Sequence, residues 1–201
     1  MADTGAPWNI PFVEPTDLVR DYPAADEAQA LAVAAGLSAA GGLVAVKSAI
    51  FTGTQTASVT ASSNVAVTDL TITHAVADAS NKLIISAFLG AAASSDGSGL
   101  VGIAVHNGTD LIAIADADGS RTRVTAGGRV VFADVGSQVV TMPSVTFVHT
   151  PNTTDSRTYT VRAINIRGET RTLFINRSEE DGNNANRSRA VSSLVIQEVK
   201  V

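Results

Sequence analysis

The sequence predicts a mainly β protein: an antiparallel β-sandwich, jelly-roll-like, preceded by a proline-rich extended arm and one short alanine-rich helix. Three observations lead to this prediction. From about residue 43, apolar and polar residues alternate in short runs rich in Val, Ile, Thr and Phe. Gly, Asn, Asp and Ser separate these runs at the spacing expected of sandwich turns. Before residue 43 the composition changes, first to proline and then to alanine.

Length and composition fit one domain with an N-terminal extension. The 201 residues are 45% apolar and only 16% charged, against about 25% charged in an average soluble protein. Low charge indicates that partner chains cover part of the surface, although many small residues could produce the same value. The net charge of -5 and the absence of a basic cluster argue against a nucleic-acid partner.

The sequence also excludes several kinds of chemistry and location. There are no cysteines, so disulfides and thiolate metal sites are excluded. The first twelve residues lack the features of a secretory signal, and no apolar run approaches the ~20 residues that span a bilayer. We therefore expect a chain made in a cytoplasm and not inserted into a membrane.

Residues 1–23 form the predicted arm. They hold four of the six prolines, which lack an N–H donor and exclude both a helix and a central strand. The arm is nevertheless rich in large apolar side chains, unlike a free disordered tail. An extended segment of this kind suits a groove on another protein, and packing on its own domain is the alternative. The candidate docking residues are Trp8, Ile10, Phe12, Val13 and Tyr22.

Residues 24–42 contain the predicted helix. Alanine has the highest helix propensity, acidic Asp26 and Glu27 favour the helix start, and Gly41 and Gly42 favour its end. One stripe of the helix carries Ala24, Ala28, Leu31 and Ala35. A short helix with small residues on one face needs neighbours. It could associate with copies of itself, as in a trimeric bundle, or lie on the β-domain.

Residues 43–201 form the predicted sandwich. Its strand-like runs are 44–51, 65–72, 82–89, 100–106, 110–115, 139–149, 157–167, 170–177 and 190–199. Asn107-Gly108 is a hairpin signal, and Gly168-Glu169 is expected to make a second hairpin. Longer loops are predicted at 91–99, 116–128 and 178–189.

No sequence motif indicates catalysis, a metal or a cofactor. His74, His106 and His149 are far apart in the sequence and lack zinc-ligand spacing. Asp116, Asp118 and Ser120 imitate the start of a calcium loop, but Gly127 stands where an EF-hand needs glutamate. We expect a non-enzymatic protein without cofactors.

The stretch from residue 7 to residue 40 resembles the N-terminal segment of bacteriophage tail-fibre and minor tail proteins. In that family a proline-rich stretch with a T-D-x-V-R-D-Y-P-like element precedes an alanine-rich helix. The matching residues are Pro15, Thr16, Asp17, Val19, Arg20, Asp21, Tyr22 and Pro23. Residues 192–199 also resemble the last strand of β-domains that end many phage virion proteins.

This resemblance implies a homotrimeric virion protein of the phage tail. The arm, including Arg20, would attach it to the tail or baseplate, and the β-domain would touch a host-surface glycan or protein. Candidate contact residues in the loops are Ser95, Asp96, Asp116, Asp118, Arg121, Glu179, Asp181, Asn183 and Asn184. The chain lacks the long repetitive shaft of many fibres, so a capsid decoration or connector protein without host binding is the alternative. A glycan-cleaving enzyme is a third, less favoured hypothesis.

Overall fold

The structure is a computed structural model that describes residues 2–3, 11–12, 30–32, 42–95, 100–128, 139–183, 185, 187 and 189–201. The chain divides into two compact units, Met1–Gly42 and Leu43–Val201. In the first unit, strand β1 (Ala2–Asp3) pairs antiparallel with β2 (Pro11–Phe12), and residues 30–32 are helical. The remainder of the predicted arm and helix lies outside the described residues.

The second unit is built from antiparallel strands. The strands described there are β3 (Leu43–Phe51), β4 (Gln55–Val59), β5 (Asn64–His74), β6 (Lys82–Phe88), β7 (Ala92–Ser94), β8 (Val101–His106), β9 (Leu111–Ile112), β10 (Ala126–Gly128), β11 (Ser144–His149), β12 (Arg157–Asn165), β13 (Arg171–Ile175) and β14 (Ser192–Val199). One sheet has the order β11-β6-β14-β3, and a second has the order β10-β8-β12-β5, with β9 added beside β8. A small third sheet has the order β4-β13-β7.

The strand order of the two larger sheets is that of a jelly roll. Eight strands remain when the third sheet and the added strand β9 are set aside. Among these eight, β3 pairs with β14, β5 with β12, β6 with β11 and β8 with β10, so the first pairs with the last and the pairing continues inward. This nested pairing arises when one long antiparallel hairpin folds over into two sheets. The predicted fold class, a mainly β antiparallel sandwich, is confirmed.

The core lies between the inner faces of the two sheets. Alternate residues of β6 and β14 point inward, as period-two alternation requires, and they are fully buried: Leu83, Ile85, Leu194 and Ile196. The second sheet supplies Ile103, Val105, Tyr159 and Val161 to the same cluster. Ordinary aliphatic packing therefore holds the sandwich together.

Several predicted element boundaries are wrong. The predicted loop 91–99 contains β7, because Ala92, Ala93 and Ser94 pair with β13. The predicted loop 116–128 likewise contains β10, which pairs with β8. The predicted run 110–115 shortens to β9, and the run 139–149 becomes a strand only after Pro143, which cannot donate to a ladder.

The two predicted hairpin turns have different outcomes. Asn107-Gly108 does connect a hairpin, β8–β9, with Gly108 at a φ of 92°. Gly168-Glu169 does not, because β12 and β13 belong to different sheets. The buried Asn165 amide explains this divergence, since its Nδ2 donates to the carbonyl oxygens of Val59 and Glu169 and redirects the chain toward β4.

Asn176 anchors the return from β13 to β14. It is fully buried at a φ of 61°. Its Nδ2 donates to the carbonyl oxygens of Phe51 and Gly53 at 2.8 and 2.9 Å, and its Oδ1 accepts from the Ser192 hydroxyl at 2.5 Å. Three hydrogen bonds thus converge on one buried amide in a conformation that asparagine tolerates better than most residues.

We expect Asn176→Ala to lower the free energy of unfolding by about 3 kcal/mol, because it strands buried polar groups at a strained φ. The matched control is Asn152→Ala, since Asn152 has a φ of 57° but is exposed. We expect that control to lose about 1 kcal/mol or less. Urea denaturation measures both values, and equal losses in the two variants would refute the role assigned to the buried amide.

Candidate functional site

The sandwich has two distinct ends, which we call proximal and distal. The chain enters at the proximal end, where Leu43 pairs with Val199 and Val199 pairs with Lys82. At the distal end Phe51 pairs with Ser192, and Phe88 pairs with Ser193. The nine residues of β3 separate these ends by about 26 Å at the usual rise per residue.

The described residues of all three predicted contact loops belong to the distal end. The first follows Phe88, and the last is tied there because the Ala190 N–H donates to the carbonyl oxygen of Asn176. The middle loop reaches the β4–β5 turn through a 2.7 Å hydrogen bond between the hydroxyls of Ser62 and Thr122. The described contact residues are Ser95, Asp116, Asp118, Arg121, Glu179, Asp181 and Asn183. Asp96 and Asn184 lie outside the described residues.

A groove, which we call the distal groove, runs on both sides of the Ser62–Thr122 bond. It consists of two adjoining depressions of about 460 and 360 Å³ that share four lining residues. Its lining combines hydroxyl-bearing and arginine side chains with aliphatic side chains. The lining side chains are Ser62, Ser120, Arg121, Thr122, Arg123, Leu111, Ile114, Val124 and Ile166.

Two arginines line the distal groove, and one of them is already paired. Arg121 forms an exposed ion pair with Asp118, so Arg123 supplies the remaining positive charge. The Nε of Arg123 donates to the carbonyl oxygen of Ala115 at 2.6 Å. Among the described residues, no Asp or Glu lines either depression, although the whole chain carries a net charge of -5. The groove is thus a local site for an anionic group on an acidic protein.

The last predicted contact loop holds a network of ion pairs. Asp181 accepts from Arg177 at 3.3 Å and from Arg189 at 2.8 Å, and Arg187 pairs with Glu180. The Arg177 guanidinium lies 4.9 Å above the ring of Phe174. Three arginines meet two carboxylates here, so the network keeps a net positive charge while its pairs order the loop and engage Asp181 within the chain.

The outer face of the β11-β6-β14-β3 sheet, which we call the apolar face, is almost uncharged and mixes large apolar side chains with uncharged polar ones such as Ser48, Ser86 and Gln197. Its exposed large side chains include Val46, Ile50, Phe88 and Val148, with exposed fractions from 37% to 61%. Lys82 is its one ionisable residue among those described, because the register places Lys47 and Glu198 on the opposite side of the sheet. There Glu198 is buried, whereas Lys47 is exposed and donates to the carbonyl oxygen of Thr73 at 2.8 Å. Its edge strand β3 has one partner, β14, among the described residues.

The outer face of the other sheet is polar. Two rungs of threonines cross β5 and β12, with hydroxyl–hydroxyl distances of 3.2 Å for Thr71–Thr160 and 3.1 Å for Thr73–Thr158. Arg162 projects from the same face of β12. A hydroxyl-rich, charged face is readily solvated, so the contrast marks the apolar face as the surface suited to a protein partner.

A buried carboxylate at the proximal end is absent from the candidates drawn from the sequence. Glu198 is 1% exposed and accepts hydrogen bonds from His74 Nε2 at 2.8 Å, the Ala77 N–H at 2.7 Å and Asn81 Nδ2 at 2.6 Å. Burial acts to raise the pKa of Glu198, but these three donors and the charge of His74 outweigh it and lower the pKa. The cluster joins the two sheets, because His74 ends β5 and Glu198 lies on β14.

The histidines do not gather into a site. His74 contacts Glu198, whereas His149 packs edge-on against Tyr159 with ring centroids 5.9 Å apart. Burial, and to a smaller extent Arg157, lowers the pKa of His149. The described residues contain no group of three or more His, Asp or Glu that could hold a metal ion. Within the same residues, no helix has the length and apolarity needed to cross a membrane.

Comparison of the sequence with models of known protein families gives no match. Comparison with curated protein sequences gives none either. The functional interpretation therefore depends on the fold, the two ends of the sandwich and the chemistry of its surfaces.

Proposed function

We propose that this chain is a phage virion structural protein: a short homotrimeric tail fibre held by its N-terminal segment and contacting the host surface with its β-domain. One observation carries the proposal. The chain enters the sandwich at the proximal end, and the three loops predicted to make contacts lie at the distal end. An attachment protein needs this polarity, because its receptor-facing loops must point away from the particle.

The apolar face supports self-association. Apart from Lys82, copies that meet there bury aliphatic, aromatic and hydroxyl groups and the amide of Gln197, and they desolvate no charge. A strongly charged partner would find few opposite charges on this face, because Lys82 is its one described ionisable residue. β3 adds a nine-residue edge with a single lysine, although natural edges are usually short or well charged.

The size of the apolar face indicates that it acts with another element. Three inter-strand spacings and about 20 Å of strand give an area on the order of 300 Å². A stable interface buries about 800 Å² per partner. We assign the remainder to the helix predicted at residues 24–42, whose small-residue stripe would pack against its copies in a three-chain bundle.

The proposed role requires no catalytic step and no cofactor. The partners are further copies of the chain, tail or baseplate proteins bound through the arm, and a glycan or protein on the host surface. Binding at several weak distal sites on one trimer would give useful avidity. The protein would be made in the host cytoplasm and would reside in the virion.

Immunogold labelling of particles that carry this protein tests the proposal. We expect antibodies against the loop at 178–189 to label the free tip of the tail. Antibodies against residues 1–23 should label intact particles poorly, because the arm would be covered by its docking partner. Uniform labelling of the head shell by the loop antibody would overturn the tail-fibre proposal in favour of the capsid decoration alternative.

A further inference from the structure

We infer that the distal groove binds a saccharide carrying an anionic group, either a carboxylate or a phosphate substituent. The inference deepens the proposed function and rests on it in one respect, namely that the distal end faces a host-surface glycan. The groove itself is defined by its own residues, whichever particle carries it.

The lining of the distal groove is partly apolar and partly polar. Val124 and Ile166 line one depression, and Leu111 and Ile114 line the other. A sugar ring presents C–H groups on its faces and hydroxyls around its edge. A lining that combines aliphatic and polar side chains can accommodate both kinds of group, as ligand pockets generally do.

The distal groove also offers hydrogen-bonding groups to a ligand. The Ser62 and Thr122 hydroxyls bond to each other at 2.7 Å, and each hydroxyl can still accept a further hydrogen bond. Ser120 also lines both depressions. Ser62 has a φ of 55° in the β4–β5 turn, which the Ser63 N–H closes by donating to the carbonyl oxygen of Thr60 at 3.1 Å.

The groove also carries a positive charge. Arg121 and Arg123 line it, and no described carboxylate does. Because Arg121 already pairs with Asp118, this charge is that of Arg123. Arg123 uses its Nε for the carbonyl oxygen of Ala115, which fixes the guanidinium and leaves its two Nη groups available. A guanidinium held in this way presents paired N–H donors to a carboxylate or phosphate. A neutral glycan would leave this feature unused.

Saturation-transfer difference NMR on the full chain tests the inference with three probes: tetragalacturonate, mannose 6-phosphate and neutral maltotetraose. We expect transfer to at least one anionic probe and none to maltotetraose. The anionic probe that responds distinguishes carboxylate from phosphate recognition. We also expect the signal to fall as salt is added, because an exposed ionic contact is screened.

Arg123→Gln is the decisive variant, and we expect it to weaken binding of the responding probe at least tenfold. The matched control is Arg189→Gln, which removes a distal arginine that pairs with Asp181 outside the groove and should leave binding unchanged. Equal urea midpoints would show that both variants are folded. No binding of any probe, equal binding of maltotetraose, or unchanged binding by Arg123→Gln would overturn the inference.

These outcomes are separate from those of the proposed function. Tail-tip labelling with no saccharide binding would leave the fibre proposal standing and remove the groove from it. Saccharide binding with head labelling would keep the groove and overturn the fibre.

Discussion

Replacing Glu198 with alanine should lower the free energy of unfolding by about 3–5 kcal/mol, because it leaves several buried polar groups without a partner at about 1–3 kcal/mol each. The change leaves the Ala77 N–H and the Asn81 amide without their acceptor and His74 without its partner in a site that water scarcely reaches. Urea denaturation at pH 7 measures the loss. Glu169→Ala, in an exposed pair with Arg171, is the control and should change stability by less than about 1 kcal/mol.

The same carboxylate should make stability depend on pH. Because the pKa of Glu198 is lowered in the folded state, its stabilisation is fully present above the unfolded value near 4.3. That stabilisation is lost as the pH falls from there toward the folded value. His149, whose pKa is also lowered, should begin to remove stability earlier, below about pH 6.5.

Glu198→Gln separates the two contributions. It retains an oxygen for Ala77 and Asn81 but cannot ionise, so the loss of stability below about pH 4.3 should become shallower while the loss near pH 6 remains. An unfolding free energy with the same pH profile in wild type and Glu198→Gln would refute the assigned role of the carboxylate.

Replacing Ile50 with aspartate should dissociate the assembly. Ile50 is 60% exposed on the apolar face, so the substitution should barely affect the folded monomer. In the assembly it would bury an unpaired carboxylate against another acidic copy. We expect self-association to weaken at least 100-fold, which is about 2.7 kcal/mol. Sedimentation velocity over a range of protein concentrations measures the change.

Thr73→Asp is the control for this prediction. Thr73 is exposed on the polar outer face of the other sheet, so an added carboxylate there should leave self-association as it is in wild type. If Ile50→Asp sediments like wild type, or if Thr73→Asp dissociates to the same extent, the apolar face is not the interface.

The sequence predicts the sandwich because its main signal is local. Period-two alternation and turn residues identify most strands, including β6, β8 and β12 close to their observed bounds. β7 was missed because its Ala-Ala-Ser sequence has weak strand propensity. It forms a strand through pairing with β13, whose residues lie about 80 positions later. The nested strand order is equally non-local, since it joins β3 to β14.

The Glu198–His74 cluster and the distal groove also depend on contacts between residues far apart in the sequence. Alternation along β14 turns Leu194, Ile196 and Glu198 to one side, so the sequence does indicate a glutamate at a core position. Its partner His74 lies 124 residues away, and no local pattern connects them. The sequence placed contact residues in three loops. It could not show that Thr122 of one loop would contact Ser62 of a distant turn, or that Arg121 and Arg123 would line a groove beside that contact.

The native mass of the full chain, measured by light scattering over a range of concentrations, tests the central claim of a self-assembling fibre most directly. We predict three times the 20.6 kDa mass of one chain, maintained on dilution to micromolar concentration. A mass of one chain at every concentration would contradict self-association through the apolar face and the helix. A stable mass of two chains would contradict the three-fold fibre.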